Sequence, residues 1–393
     1  MRGLFGRALI AIALVAITIA GVSAGPAQTN EYDPSRVSNS LKAILQFGSA
    51  QTKQALNANA VTMITGTIDG TYVQLGADLA SVLDDGNKLR VLPIVGRGSV
   101  QNIADMLLED FDLGIVRADS LDYLERKGYA RDLRKQLTYV TKLYNEEMQV
   151  IAPLAVRNLR DLDDKKVGVD LPDGGTFVTC MAVFERLGLR ADNFTYIEQR
   201  IAMEMLNKGE LDAVIVVGGK PYKSVSNFVN DGRFHLVTVD YEKPLQNDYL
   251  PATLTSKDYP NLIADGDKVD TIAVPAVLAA YNWAPNTDRY RKLSLFVDAF
   301  FSKFATLQNP PFHPKWKEVS LTAPLPGWQR LPYANKWLEE HGLSASSRNR
   351  FDEFLKQNPT AAKNIQSEAD REALFKQYQA WEADKGARAQ VGR

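Results

Sequence analysis

Apolar and polar positions along the chain fall into two alternating rhythms. Val61, Met63 and Thr65 alternate with Thr62 and Ile64 as in a strand, and Tyr72, Leu75, Leu79 and Val82 then recur on one face of a helix. Between them Gly66 and Gly70 permit a tight turn, while Thr67, Asp69 and Thr71 carry side-chain oxygens of the kind that begin helices. The pairing recurs. Residues 89–95 predict a second strand, 96–99 a GRGS turn, and Val100, Ile103, Ala104 and Leu107 a helical face that Ser99 is placed to cap. A third strand, 111–116, ends in Arg117-Ala118-Asp119-Ser120, where another helix begins.

Residues 139–148 are polar, and the strand expected at 149–156 reads as a first crossing to another lobe. The rhythm then restarts with a strand at 166–170, a turn at 172–176 and a helical stripe of Phe177, Met181, Phe184 and Leu187. A fully apolar strand at 211–217 leads into Gly218-Gly219-Lys220-Pro221 and a stripe of Tyr222, Val225, Phe228 and Val229. Residues 241–270 have weak periodicity, as a return crossing has; 271–278 is a strand, and Leu293, Val297, Phe300, Phe304 and Leu307 mark a core helix. Strands alternating with helices imply an α/β fold, each lobe a mainly parallel sheet with helices on its faces. Trp316, Trp328, Tyr333 and Trp337 follow in an irregular region, either packed over a lobe seam or marking a partner surface.

Length and composition are those of a globular protein: 393 residues allow two lobes with real cores. Arg2 and Arg7 precede an uncharged apolar run from Ala8 to Val22, and Val22-Ser23-Ala24 has small residues where a signal peptidase reads. Cleavage after Ala24 is expected, with an uncleaved anchor as the alternative, and the mature chain is then periplasmic. It retains 44 basic and 47 acidic side chains, a net charge of −3 that argues against a nucleic-acid partner. Cys180 is the only cysteine and sits on an apolar helical face, so no intramolecular disulfide and a buried inert thiol are expected.

No catalytic motif is present: there is no HExxH, GxSxG, phosphate-binding GxxxxGK, or GxGxxG with an acidic partner. His235, His313 and His341 share no metal-ligand spacing, so neither a metal nor a cofactor is expected, and no residue reads as catalytic. The turns supply binding chemistry instead. A helix N-terminus after a glycine turn offers free N–H groups and partial positive charge to a carboxylate. Thr67, Thr71, Ser99 and Thr176 can donate to carboxylate oxygens, as can the backbone of Gly70, Gly98, Gly175 and Gly219; Arg97, Arg117 and Lys220 can add charge. Arg117 fits either a bidentate grip on a ligand carboxylate or an ion pair with Asp112 or Asp119.

Six stretches in order, TGTIDGTYVQLG at 65–76, GRGSVQN at 96–102, DLGIVRAD at 112–119, DGGT at 173–176, LDAVIVVGGKP at 211–221 and TIAVPAVL at 271–278, resemble a known family. The chain looks like a TAXI-type solute receptor, a periplasmic binding protein of tripartite ATP-independent (TRAP) transporters, from about residue 62 to 342. The resemblance implies a two-lobed, type II-like binding protein, not an enzyme. It closes on a small organic anion or amino acid, glutamate-like or dicarboxylic, and passes it to TRAP membrane subunits. By matching motif, ligand contacts fall on Thr67, Gly70, Tyr72, Ser99, Asp119, Thr176 and Gly219; Thr71 and Arg117 join them from the turn chemistry. The expected organisation is a signal peptide at 1–24, a leader at 25–57 and a first lobe at 58–143. A second lobe with both crossings occupies 144–270, the first lobe returns at 271–342, and a helical extension fills 343–393. Three departures stand out: Ile68-Asp69 where the family has small residues, Arg117 where it has glutamine, and LPGWQRLPYANKW at 325–337 in place of a histidine-containing segment. The altered segment and the extension leave open a second use, a ligand sensor docking on a membrane regulator.

Overall fold

The computed structural model describes residues 58–343 except 69, 86, 87, 110 and 173, and in the tail 351–356, 358, 370, 371, 373–375, 377 and 378. The expected signal peptide and the leader lie outside the described residues. Among the described residues no helix is long and apolar enough to cross a membrane.

The opening strand, β1 (Ala60–Ile64), lies between β2 (Arg90–Ile94) and β3 (Leu113–Arg117) and is parallel to both. Helices α1 (Thr71–Leu83), α2 (Ser99–Leu108) and α3 (Asp119–Arg126) follow these three strands. On α1 the buried stripe is Tyr72, Leu75, Leu79 and Leu83. Gly76 lies under it, where a Cβ would come within 2.8 Å of Thr65 and 3.0 Å of Pro93, so helix and sheet approach closely only because that position is glycine.

After the short α4 (Leu133–Gln136), the chain enters β4 (Leu137–Pro153), one strand of 17 residues where a polar stretch and a shorter strand were expected. The polar side chains misled because they are buried against partners from other elements: Gln149 donates to Gly218 O at 2.9 Å, and Glu146 and Glu147 meet cationic partners. Next come β5 (Val167–Val169), α5 (Gly175–Leu187), β6 (Phe194–Tyr196), α6 (Gln199–Asn207) and β7 (Ala213–Gly218). The short α7 (Lys223–Ser226), β8 (Phe234–Leu236) and β9 (Leu250–Thr255) lead to β10 (Lys268–Tyr281), which is longer than the return strand expected. Helices α8 (Asp288–Leu307) and α9 (Pro332–Glu340) complete the body.

The sheet order is β2-β1-β3-β10-β4-β7-β5-β6, with β8 on β4 and β9 on β10. Two parallel trios, β2-β1-β3 and β7-β5-β6, are joined by the antiparallel pair β4 and β10. Both long strands change neighbours on the way. β4 pairs with β10 up to Glu147 and with β7 from Glu147 onward, and β10 pairs with β9 up to Ala273 and with β3 from Ala276. Pro275 sits at the irregularity between these stretches of β10, where a missing N–H is tolerated in a central strand.

The result is a two-lobed α/β body. In the first lobe, α1, α8, α9 and Trp316 cover one sheet face, and α2 and α3 pack on the other. In the second, α5 and α6 cover opposite faces. Trp316, Trp328 and Trp337 are buried and Tyr333 is half-buried, so these aromatics are packing residues; Trp316 donates to Asp78 at 2.9 Å and Trp328 to Ala118 O at 3.2 Å. Each such burial stabilises the fold by roughly 1.5–3 kcal/mol. Val178 and Ala182 of α5 join the core beneath α2 and α3, an apolar seam between lobes. In the tail, Phe351, Leu355, Phe375 and Tyr378 cluster together.

Candidate functional site

Three helices begin at one place. The N-cap positions of α1, α2 and α5 are Gly70, Gly98 and Gly174, and none of the three helices has a side-chain cap or an acidic residue in its first turn. Ser99, expected to cap α2, is instead its first helical residue, and its Oγ accepts the Arg117 backbone N–H at 3.0 Å. These N-termini line a small cavity of about 50 Å³, two from the first lobe and one from the second. Free N–H groups and helix dipoles therefore converge on one volume.

Thr67, Gly70, Thr71, Tyr72, Ser99, Arg117 and Thr176 all border this cavity. Arg117 reaches it from the end of β3 and is almost fully buried. Neither Asp112 nor Asp119 is its ion-pair partner. Its Nε donates to Glu146 on β4, and Nη2 donates to Val217 O on β7. Asp112 pairs with Arg289 at 2.8 Å. Burial alone would lower the Arg117 pKa, but Glu146, Tyr72 and Asp119 together outweigh it and the guanidinium stays charged. Glu146 also accepts from the Tyr144 hydroxyl at 2.9 Å. The remaining Nη1 lies against Gly175, where a Cβ would be 2.0 Å away, so glycine there leaves room for the guanidinium.

The other hydroxyls differ in what they leave free. Thr176 donates to Val217 O and accepts from Val217 N, each at 3.3 Å, tying α5 to β7. Ser99 Oγ accepts from the Arg117 N–H and its hydroxyl stands beside that of Tyr72. Tyr72 is 7% exposed, and its hydroxyl, near Ser99 and Glu146, makes no hydrogen bond of ordinary geometry. Burial first, then Glu146, drives its pKa well up, so it is a neutral donor.

Asp119 and Gly219 are not brought into the cavity wall. Asp119 Oδ2 accepts from Thr179 at 2.8 Å and Tyr249 at 3.1 Å, linking α3 to the second lobe. Gly219 packs against Tyr144 and Lys315. Lys220 is held by Asp258 at 3.1 Å, away from the wall. Several wall residues were not singled out in the sequence as ligand contacts: Glu146, Asp170, Gln199 and Tyr222. Asp170 ends the expected strand 166–170, so the position of ligands at strand ends could have found it. Glu146 gave no such signal, being hidden in the stretch read as polar. Burial raises the Asp170 pKa. Arg97 and Arg117 face Glu146 and Asp170 around the cavity, which balances its charge.

Cys180 is buried as expected. The histidines make separate local contacts: His235 with Val156 O, His313 accepting from Lys315 N, and His341 stacked on Trp337. Among the described residues no group of three His, Cys, Asp or Glu could hold a metal.

The model of the NMT1-like family matches residues 63–342, most of the chain and all of the cavity wall. The chain belongs to that family. As an NMT1-like protein it is also similar to several solved structures. One is an ABC uptake transporter substrate binding protein from Streptococcus pneumoniae with bound histidine, at 11% identity, covering 65% of this chain and 90% of that one, TM-score 0.41. Another is Tv2483 bound to L-arginine, at 12% identity, 69% and 96% coverage, TM-score 0.41. A third is the BenM effector binding domain with benzoate, at 15% identity, 65% and 97% coverage, TM-score 0.36.

Proposed function

We propose that this NMT1-like protein is a periplasmic solute-binding receptor of the TAXI type, which captures a small organic acid or amino acid between its lobes and delivers it to TRAP membrane subunits. One observation carries the reading: three helix N-termini without side-chain caps, drawn from both lobes, meet at a cavity that also holds a buried Tyr72 hydroxyl without a partner. A carboxylate there would accept from the amides, Ser99 and Tyr72, and lie beside Arg117. Asp170 stands across the same cavity as an acceptor for an ammonium group, which favours an amino acid over a simple anion. The pairing of Arg117 with Glu146 removes the reason for expecting a second ligand carboxylate. The role is binding, with closure about β4 and β10, the two strands that run through both lobes.

A thermal-shift screen of organic acids and amino acids tests this. A ligand at 100 times its Kd adds about 2.7 kcal/mol of stability, a readily seen shift. No shift with any acid would sink the reading.

A further inference from the structure

A second space of about 560 Å³ adjoins this cavity, and Thr67, Asp170, Gln199 and Tyr222 line both. The first lobe contributes only the turn at Thr67 and Ile68, while the second contributes α6 and the chain from Tyr222 to Val229. Its apolar surfaces are Ile68, Met203, Phe228 and Val229. Ile68 is 75% exposed and Val229 79% exposed, so two large aliphatic side chains stand in solvent on walls from opposite lobes. The charges on α6 answer one another: Arg200 pairs with Glu204 at 3.0 Å and approaches Glu198 at 3.8 Å. Lys223 also lines the space but has an interaction of its own, so these charges are answered within the protein, whereas the exposed aliphatic groups gain by covering an apolar end of a ligand.

Resting on the receptor reading above, we propose that the ligand is an amphipathic monoacid: one carboxylate head in the inner cavity and a neutral body, several carbons or a ring, in the outer space. The inner volume suits a head group and little more. The Ile68 departure from small residues at this turn then acts as a specificity element, a lid that rests on the body when the lobes close.

Calorimetry with straight-chain monocarboxylates from butyrate to octanoate, and with the matching 2-amino acids, tests the inference. Affinity is expected to rise up to about fourfold per added methylene, ~0.8 kcal/mol each. The α,ω-dicarboxylate of equal length should bind more weakly. Ile68→Asp and Val229→Asp, both at exposed positions, should flatten the length dependence and lower octanoate affinity more than butyrate affinity. Leu108→Asp, at a position 81% exposed and outside both spaces, should change neither. Short acids bound at an affinity independent of length, or dicarboxylates bound more tightly, overturn this inference alone. Failure of acids and amino acids of every length to bind overturns it together with the receptor reading.

Discussion

Tyr72 and Arg117 are the residues on which the site is most exposed to test. A buried hydroxyl without a partner costs the free protein roughly 1–3 kcal/mol, and Tyr72 carries such a group into the cavity. Tyr72→Phe should therefore leave the unliganded protein as stable or more stable, while weakening ligand binding about three- to tenfold, or ~0.5–1.5 kcal/mol. Chemical denaturation and calorimetry on the same preparations separate the two effects, and a destabilised variant with unchanged affinity would contradict the role given to the hydroxyl. Arg117 needs a different design, because removing it strands the buried Glu146 carboxylate. Arg117→Gln alone should lose both stability and affinity. Joined to Glu146→Gln, it should regain most of the stability and still bind at least about tenfold more weakly, ~1.4 kcal/mol. Recovery of affinity in the double variant would show that Arg117 serves only the ion pair.

At the scale of elements, the turns into α1, α2 and α5 were legible because glycine runs between a period-two and a helical stretch have few other uses. Their capping was misread: Thr71 and Ser99 look like caps in sequence, yet lie one residue inside their helices. Whether an N-terminus is capped or left open depends on what stands in front of it, and that is set by the opposite lobe. The long β4 was illegible for a related reason, since Glu146 and Glu147 find their cationic partners on β3 and beside Trp316, distant in sequence. Gly175→Ala tests the α5 terminus. Its methyl would displace Arg117 at an overpacking cost of about 1–3 kcal/mol, and should cut affinity tenfold or more with the fold retained. Native-like near-ultraviolet dichroism with unaltered affinity would refute it. Glu147 tests β4 where the strand changes neighbours. Burial, only partly offset by Lys315, pushes its carboxyl up to about 7 from 4.5. The folded protein then holds this proton more tightly than the unfolded chain, so the contribution is full below about pH 4.5 and is lost as pH rises through 7. Relative to Glu147→Gln, the wild type should lose on the order of 2–3 kcal/mol between those limits in denaturant titrations. A difference that stays flat or grows in the wild type's favour would contradict it.

For the whole molecule, the two-lobed α/β plan could be read from the restart of the strand–turn–helix rhythm after residue 165, whereas the cavity's charge balance could not. Arg117 and Asp170 are readable one at a time, but their meeting with Glu146 depends on β4 bringing a buried carboxylate between the lobes. The central claim is that one ligand engages both lobes at those three helix N-termini. Hydrogen exchange with and without the strongest hit from the acid and amino-acid screen measures that claim directly. Slowed exchange is expected together in peptides covering residues 66–76, 96–103 and 174–181. Protection confined to one lobe, or found only away from these three segments, would contradict it.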